Sequence, residues 1–124
     1  MSESVSLAAR AAMQNALALI SDPTGGRLPE HLAGLITATE SCLAVGCRNP
    51  DDAETEFVLG RAAEFAECGE PTFSGVVATP SRRLAVRSVG HETIVAIATA
   101  SESTLVRIWV DHPQEPDRIV IAVG

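Results

Sequence analysis

The sequence predicts an α+β domain, with three N-terminal helices packed on one face of a C-terminal, mostly antiparallel sheet of four to five strands. Three observations predict it. Up to Gly69 the apolar residues recur at helical spacing; after it they run in short β-branched stretches at strand spacing. Charge changes at the same place. Residues 1–70 carry 11 acidic side chains and 4 Arg, a net of −7, whereas residues 71–124 carry 5 of each, a net of 0.

The first helix is expected from about Glu3 to Ile20, on a stripe of Val5, Ala9, Ala12, Met13, Ala16, Leu17 and Ile20. Ser2 or Ser4 can cap its start. Ser21-Asp22-Pro23-Thr24-Gly25-Gly26 breaks it. The second is expected from about Pro29 to Val45, with Leu32, Leu35, Ile36, Thr39 and Leu43 on one face and Gly46 suited to a left-handed C-terminal cap. The third has the clearest boundary signals. Asn49 can cap, Pro50 can open the first turn, and Asp51, Asp52 and Glu54 suit the positive end of a helix dipole. Phe57, Val58, Ala62 and Phe65 form its stripe; Gly69 closes it and Pro71 prevents its resumption.

Five strands follow, over about 72–78, 83–89, 93–99, 104–111 and 118–123. Every connection is short enough for a hairpin, so a meander over residues 71–124 is the simplest topology, and the whole chain, 1–124, reads as one domain. Alternation along the second and fourth strands sets Leu84, Val86, Val106, Ile108 and Val110 on one face. Arg83, Arg87, Arg107 and Trp109 then point away from the helices and share the open sheet surface.

Composition removes several functions. All nine basic residues are Arg. Without Lys the chain by itself supplies neither a phosphate-binding P-loop nor a Schiff-base amine. A pI near 4.8 argues against polybasic attachment to nucleic acid or membrane. No apolar run reaches the length of a membrane span, and the N-terminus lacks a signal-peptide pattern, so a cytoplasmic protein is expected. Three Cys, an odd number, do not suggest a disulfide framework. Cys42, Cys47 and Cys68 with His31, His91 or His112 make too loose a spacing for tetrahedral zinc, and Cys42 fits packing equally well. No metal and no cofactor is expected.

Catalytic signals are weak. Asp111-His112 and His91-Glu92 place acids beside imidazoles, but sequence neighbours on a strand point in opposite directions. There is no nucleophile elbow, no His-Glu-x-x-His and no Gly-x-Gly-x-x-Gly. Enzymatic activity is not the favoured reading. Two binding surfaces are. One is the open sheet face with Arg83, Arg87, Arg107 and Trp109, since Trp and Arg are enriched at interface hot spots; its plainer explanation is that Arg stems lie over half-buried strands. The other is the acidic third segment, with Asp51, Asp52 and Glu56, which suits a basic protein; its plainer explanation is a solvated helix face.

These features favour a small acidic protein-interaction module, of the inhibitor or immunity, chaperone or adaptor type, with a protein partner and no nucleic acid or membrane partner. Two other readings compete. A small-molecule or enzymatic α+β domain would enclose a cavity between helices and sheet, marked by polar lining near His91 or His112. A homodimer would cover the apolar strands 93–99 and 104–110 with a second copy.

Overall fold

Residues 6–124 are described in a computed structural model, and they build two facing β-sheets. The strands are β1 (Leu7–Ala11), β2 (Leu17–Ser21), β3 (Ile36–Ala38), β4 (Cys42–Gly46), β5 (Thr55–Arg61), β6 (Phe73–Ala78), β7 (Arg83–Arg87), β8 (Thr93–Ala98), β9 (Ser103–Val110) and β10 (Arg118–Val123). The first sheet has the order β1-β5-β10-β9-β6 and the second β3-β4-β2-β7-β8. Neighbours are antiparallel except β5 and β10, which run parallel at the centre of the first sheet.

This corrects the α+β expectation. Among the described residues, helical geometry is confined to two 3-10 segments, Gln14–Ala16 and Ala62–Cys68. The expected first helix is instead β1, a short turn and β2; Glu3, Val5 and the capping Ser2 and Ser4 lie outside the described residues. The second is β3 and β4, and the third is a turn, β5 and the 3-10 segment Ala62–Cys68.

The physical reasons differ between segments. Leu17-Ala18-Leu19-Ile20 and Cys42-Leu43-Ala44-Val45 belong to strands buried on both faces, so they lack the polar alternation that separates strand from helix. Ala18, Ile20, Leu43 and Val45 enter the main core; Leu19, Cys42 and Ala44 form a second cluster on the outer side. Burial of both faces overrides the helix propensity of Ala and Leu. At Asn49 the capping chemistry is present but makes only a turn. Asn49 Oδ1 accepts from Asp51 N at 2.9 Å, and Asn49 O accepts from Asp52 N at 2.9 Å. An Asx turn and a helix N-cap use the same side-chain oxygen. Thr55, Phe57 and Leu59 then alternate inward, and the chain leaves as a strand.

The C-terminal strands lie close to their expected positions, but not in one sheet. The β7–β8 and β9–β10 connections join neighbouring strands, whereas β6–β7 and β8–β9 cross from one sheet to the other. Both crossings meet at a buried hydroxyl cluster. Thr79 Oγ1 donates to Ser101 O at 2.8 Å and lies 2.8 Å from Thr104 Oγ1, while Thr99 Oγ1 donates to Ser101 O at 3.1 Å. These bonds satisfy polar groups at a buried corner, where unpaired ones would be costly.

Between the sheets, Phe57, Leu59, Ile108, Ile119, Ile121, Leu84 and Met13 are fully buried. Among the described residues there is no helical layer, so the expected cavity between helices and sheet does not form; side chains fill the space between the two sheets. Inward residues of β5, β9 and β10 alternate with outward Glu56, Val58, Arg107, Trp109, Arg118 and Val120, as a sandwich requires. No helix among the described residues is long and apolar enough to cross a membrane.

Strand order also decides what covers each outer face. From β5 the chain must reach the edge strand β6, passing β10 and β9; from β2 it must reach the edge strand β3, passing β4. Residues 62–72 and 22–35 make these passages, and each partly roofs one outer face.

Candidate protein-interaction surface

The roof on the first sheet is built around a glycine. A Cβ at Gly60 on β5 would lie 3.0 Å from the Phe65 ring and 2.7 Å from Glu64 Oε2, so a bare backbone is what lets the 3-10 segment lie close. Glu64 Oε2 accepts from Arg61 N at 2.7 Å and secures the start of that segment. Its far end is Gly69, at φ +77°. Phe65 is thereby placed against Trp109, with ring centroids 6.1 Å apart and planes inclined at 49°. Trp109 Nε1 donates to Gly69 O at 3.2 Å. The indole is therefore held at both its apolar face and its polar edge, and remains half-buried.

Register then fixes its neighbours. Trp109 is opposite Val120 on β10, and Val120 is opposite Val58 on β5, an apolar row across three strands. One row away, Arg107 is opposite Ala122 and Ser74. In the other direction Arg118 is opposite Glu56, and Arg118 Nε lies 3.2 Å from Glu56 Oε1. Trp109, Cys68, Asp111, Arg118 and Val120 line an open groove of about 270 Å³. The result is an anchored aromatic on a strip of β-branched residues, bordered by guanidinium groups on both sides, a composition typical of interface cores.

Arg107, Trp109 and Glu56 are thus brought together on one face, although the sequence pattern predicts Glu56 on a helix and the other two on the C-terminal sheet. Asp51 and Asp52 are exposed in the turn that leads into β5, and neither forms an ion pair among the described residues. Nearby acids are matched: Glu54 with Arg10 at 3.9 Å and Asp117 with Arg48 at 2.8 Å. Arg83 and Arg87 do not share the surface of Trp109. They leave β7, in the second sheet, toward the opposite side of the sandwich. The expectation of one common surface for all four fails because β7 and β9 belong to different sheets.

Three members of the first-sheet surface were not legible as such in the sequence: Phe65, Cys68 and Arg118. A signal for Phe65 did exist. Gly60 inside strand β5 marks a close approach by another part of the chain. Arg118 and Cys68 carry no comparable mark. His112 and Asp111 serve the β9–β10 connection: His112 Nδ1 accepts from Gln114 N and Glu115 N, and Asp111 Oδ1 accepts from Asp117 N and Arg118 N. Among the described residues, no three His, Cys, Asp or Glu side chains gather as a metal site.

No family model matches this chain, and no curated protein matches it in sequence. In three dimensions it is similar to the crystal structure of ComJ, inhibitor of the DNA degrading activity of NucA, from Bacillus subtilis. The TM-score is 0.72 over 98% of each chain, at 6% sequence identity. Similarity at that identity establishes a shared fold.

Proposed function

We propose that this protein is a non-enzymatic, inhibitor-type interaction module, located in the cytoplasm, that binds a protein partner through the outer face of its first sheet. Trp109 is the anchor, Arg107 and Arg118 frame it, and the acidic turn of Asp51 and Asp52 with Glu56 supplies an electrostatic flank. The partner that best suits this reading is a DNA-degrading enzyme. A nuclease must present positive charge to a polyanion, and a chain of net charge −7 is attracted to the same surface.

The observation that carries the proposal is the similarity in three dimensions, over nearly the full length of both chains, to a nuclease inhibitor. Two features of this chain support it independently: the pre-positioned indole, which is already ordered before any partner arrives, and the exposed carboxylates of Asp51 and Asp52 in the turn that leads into β5, which form no ion pair among the described residues.

The test is capture followed by an activity measurement. Immobilised protein should retain a partner from its source cells at 1:1 stoichiometry. Once separated, that partner should degrade DNA, and adding back this protein should suppress the degradation. A retained partner with no nuclease activity would refute the nuclease assignment; no stoichiometric partner at all would refute the interaction role.

A further inference from the structure

On the far side of the molecule, the roof over the second sheet encloses a different environment. Arg87 leaves β7 on the outer face, with Leu19 of β2 opposite it on one side and Thr93 of β8 on the other. Its Nε is buried and has no hydrogen-bond partner. Among the described residues, no carboxylate lies within ion-pair distance of its guanidinium. The polar contact it does make is a long one, 3.4 Å from Nη2 to His91 Nδ1. A guanidinium with no carboxylate beside it can pair with an anion that reaches its Nη atoms.

There is room for one. Arg87 opens onto a cavity of about 250 Å³ bordered by Ser21, Thr24, Gly25, Gly26 and His91. An adjoining hollow of about 260 Å³ shares Leu19, Leu28 and His91 with it, and its other lining residues, Leu17, Pro29, Leu32, Ala44 and Val89, are all apolar. One end of the combined space is cationic and the other apolar. Leu28 and Leu32 are 49% and 58% exposed, unusually open for leucines that border a cavity.

The roof is held in place rather than merely draped. Asp22 fixes one end by accepting from Ser81 N and Ser81 Oγ, both at 2.7 Å. Further along, Arg27 N donates to Ser41 Oγ at 2.7 Å, and the Arg27 side chain donates to the Glu40 carboxylate. Between them, Gly25 adopts φ +114°, and a Cβ at Gly26 would lie 2.2 Å from Ser41 O. Only glycines allow this path, and the path is what leaves the space above Arg87 open.

We propose that this is a binding site for a small carboxylate with a short, unbranched apolar tail. The carboxylate would pair with the Arg87 guanidinium through its Nη atoms, in a charge-assisted hydrogen bond. The tail would lie between Leu28, Leu32 and Ala44, a mainly apolar lining with a few polar groups, as small-ligand sites commonly have. The proposal concerns the sheet opposite Trp109 and stands independently of partner binding.

The experiment is an amide-shift titration of the full chain with octanoate, with 1-octanol as the uncharged control. Octanoate should produce saturable shifts at Leu19, Gly25, Gly26, Arg87 and His91, and octanol should bind about tenfold more weakly. Arg87→Met, which keeps the stem and removes the guanidinium, should reduce octanoate affinity about tenfold and leave octanol unchanged. Should that variant fail to fold, Leu32→Ser at an exposed position should weaken octanoate about threefold, and acetate should bind wild type more weakly than octanoate. Equal binding of octanoate and octanol, absence of saturation, or shifts clustered elsewhere would overturn the proposal.

Discussion

Asp22 ties the β2–β3 passage to the β6–β7 corner, and its removal can be worked through from the structure. The residue is fully buried. Its Oδ1 accepts from Thr24 N at 2.9 Å and Thr24 Oγ1 at 2.7 Å; its Oδ2 accepts from Ser81 N and Ser81 Oγ, both at 2.7 Å. Asp22→Asn keeps one acceptor oxygen and turns an amide N–H₂ toward the other pair of donors. Losing one pair of bonds to a charged acceptor costs about 3 kcal/mol, and burial of a neutral amide in place of a carboxylate returns part of it, leaving about 2 kcal/mol. With a urea m-value of about 1.5 kcal/mol/M for a chain of this size, the midpoint should fall by about 1.3 M. The effect should also depend on pH. Burial, the largest single influence on the Asp22 carboxyl, favours protonation, but the hydrogen bonds from Thr24 and Ser81 together outweigh it and hold the folded carboxyl below its ordinary 3.8. Stability linked to Asp22 is therefore complete above the unfolded value and is lost as pH falls through the lower folded one. The gap between wild type and Asp22→Asn should be widest at neutral pH and shrink as the pH falls below the ordinary 3.8 and through the lower folded value. A gap under about 0.5 kcal/mol at pH 7, or one unchanged on acidification, would mean that the Asp22 carboxylate does not hold the passage to the corner.

Other predictions concern the thiols, a glycine and the core. Burial raises the thiols of Cys42 and Cys47, the latter pushed up to about 12, whereas Cys68 is exposed. A thiol reagent at pH 8 should therefore modify Cys68 alone in the native protein and all three cysteines in denaturant. Gly26→Ala drives a Cβ into the Ser41 carbonyl and should cost about 1–3 kcal/mol, measured by urea unfolding. Phe57→Ala empties the middle of the core and should cost about 3–5 kcal/mol in the same assay.

What the sequence disclosed followed from how many faces each strand buries. Val106, Ile108 and Val110 alternate with Leu105, Arg107 and Trp109, so β9 and the orientation of its side chains were legible. Leu17–Ser21 and Cys42–Gly46 were not, because the 22–35 passage covers their outer side and removes the polar alternation. Asn49 and Asp51 carried a correct local signal, a side-chain oxygen bonded to a backbone N–H two residues on, which serves a turn as well as a helix. Assignment of strands to sheets was beyond local reading. A corner such as Thr79–Arg82 and a hairpin connection such as Ser88–His91 are equally short and both closed by an i to i+3 hydrogen bond of 2.8 or 2.9 Å. The separation of Arg83 and Arg87 from Trp109 follows from that long-range choice, as does the meeting of Glu56 with Arg118.

The central claim is that partner recognition belongs to the face bearing Trp109. It is tested most directly by a binding isotherm for the captured partner with Trp109→Ala alongside Arg83→Ala, an exposed change on the opposite sheet. Trp109→Ala should lose about 2 kcal/mol or more, roughly 30-fold in Kd, with its circular dichroism unchanged, and Arg83→Ala less than about 0.5 kcal/mol. Undiminished affinity in Trp109→Ala, or the larger loss falling on Arg83→Ala, would contradict it.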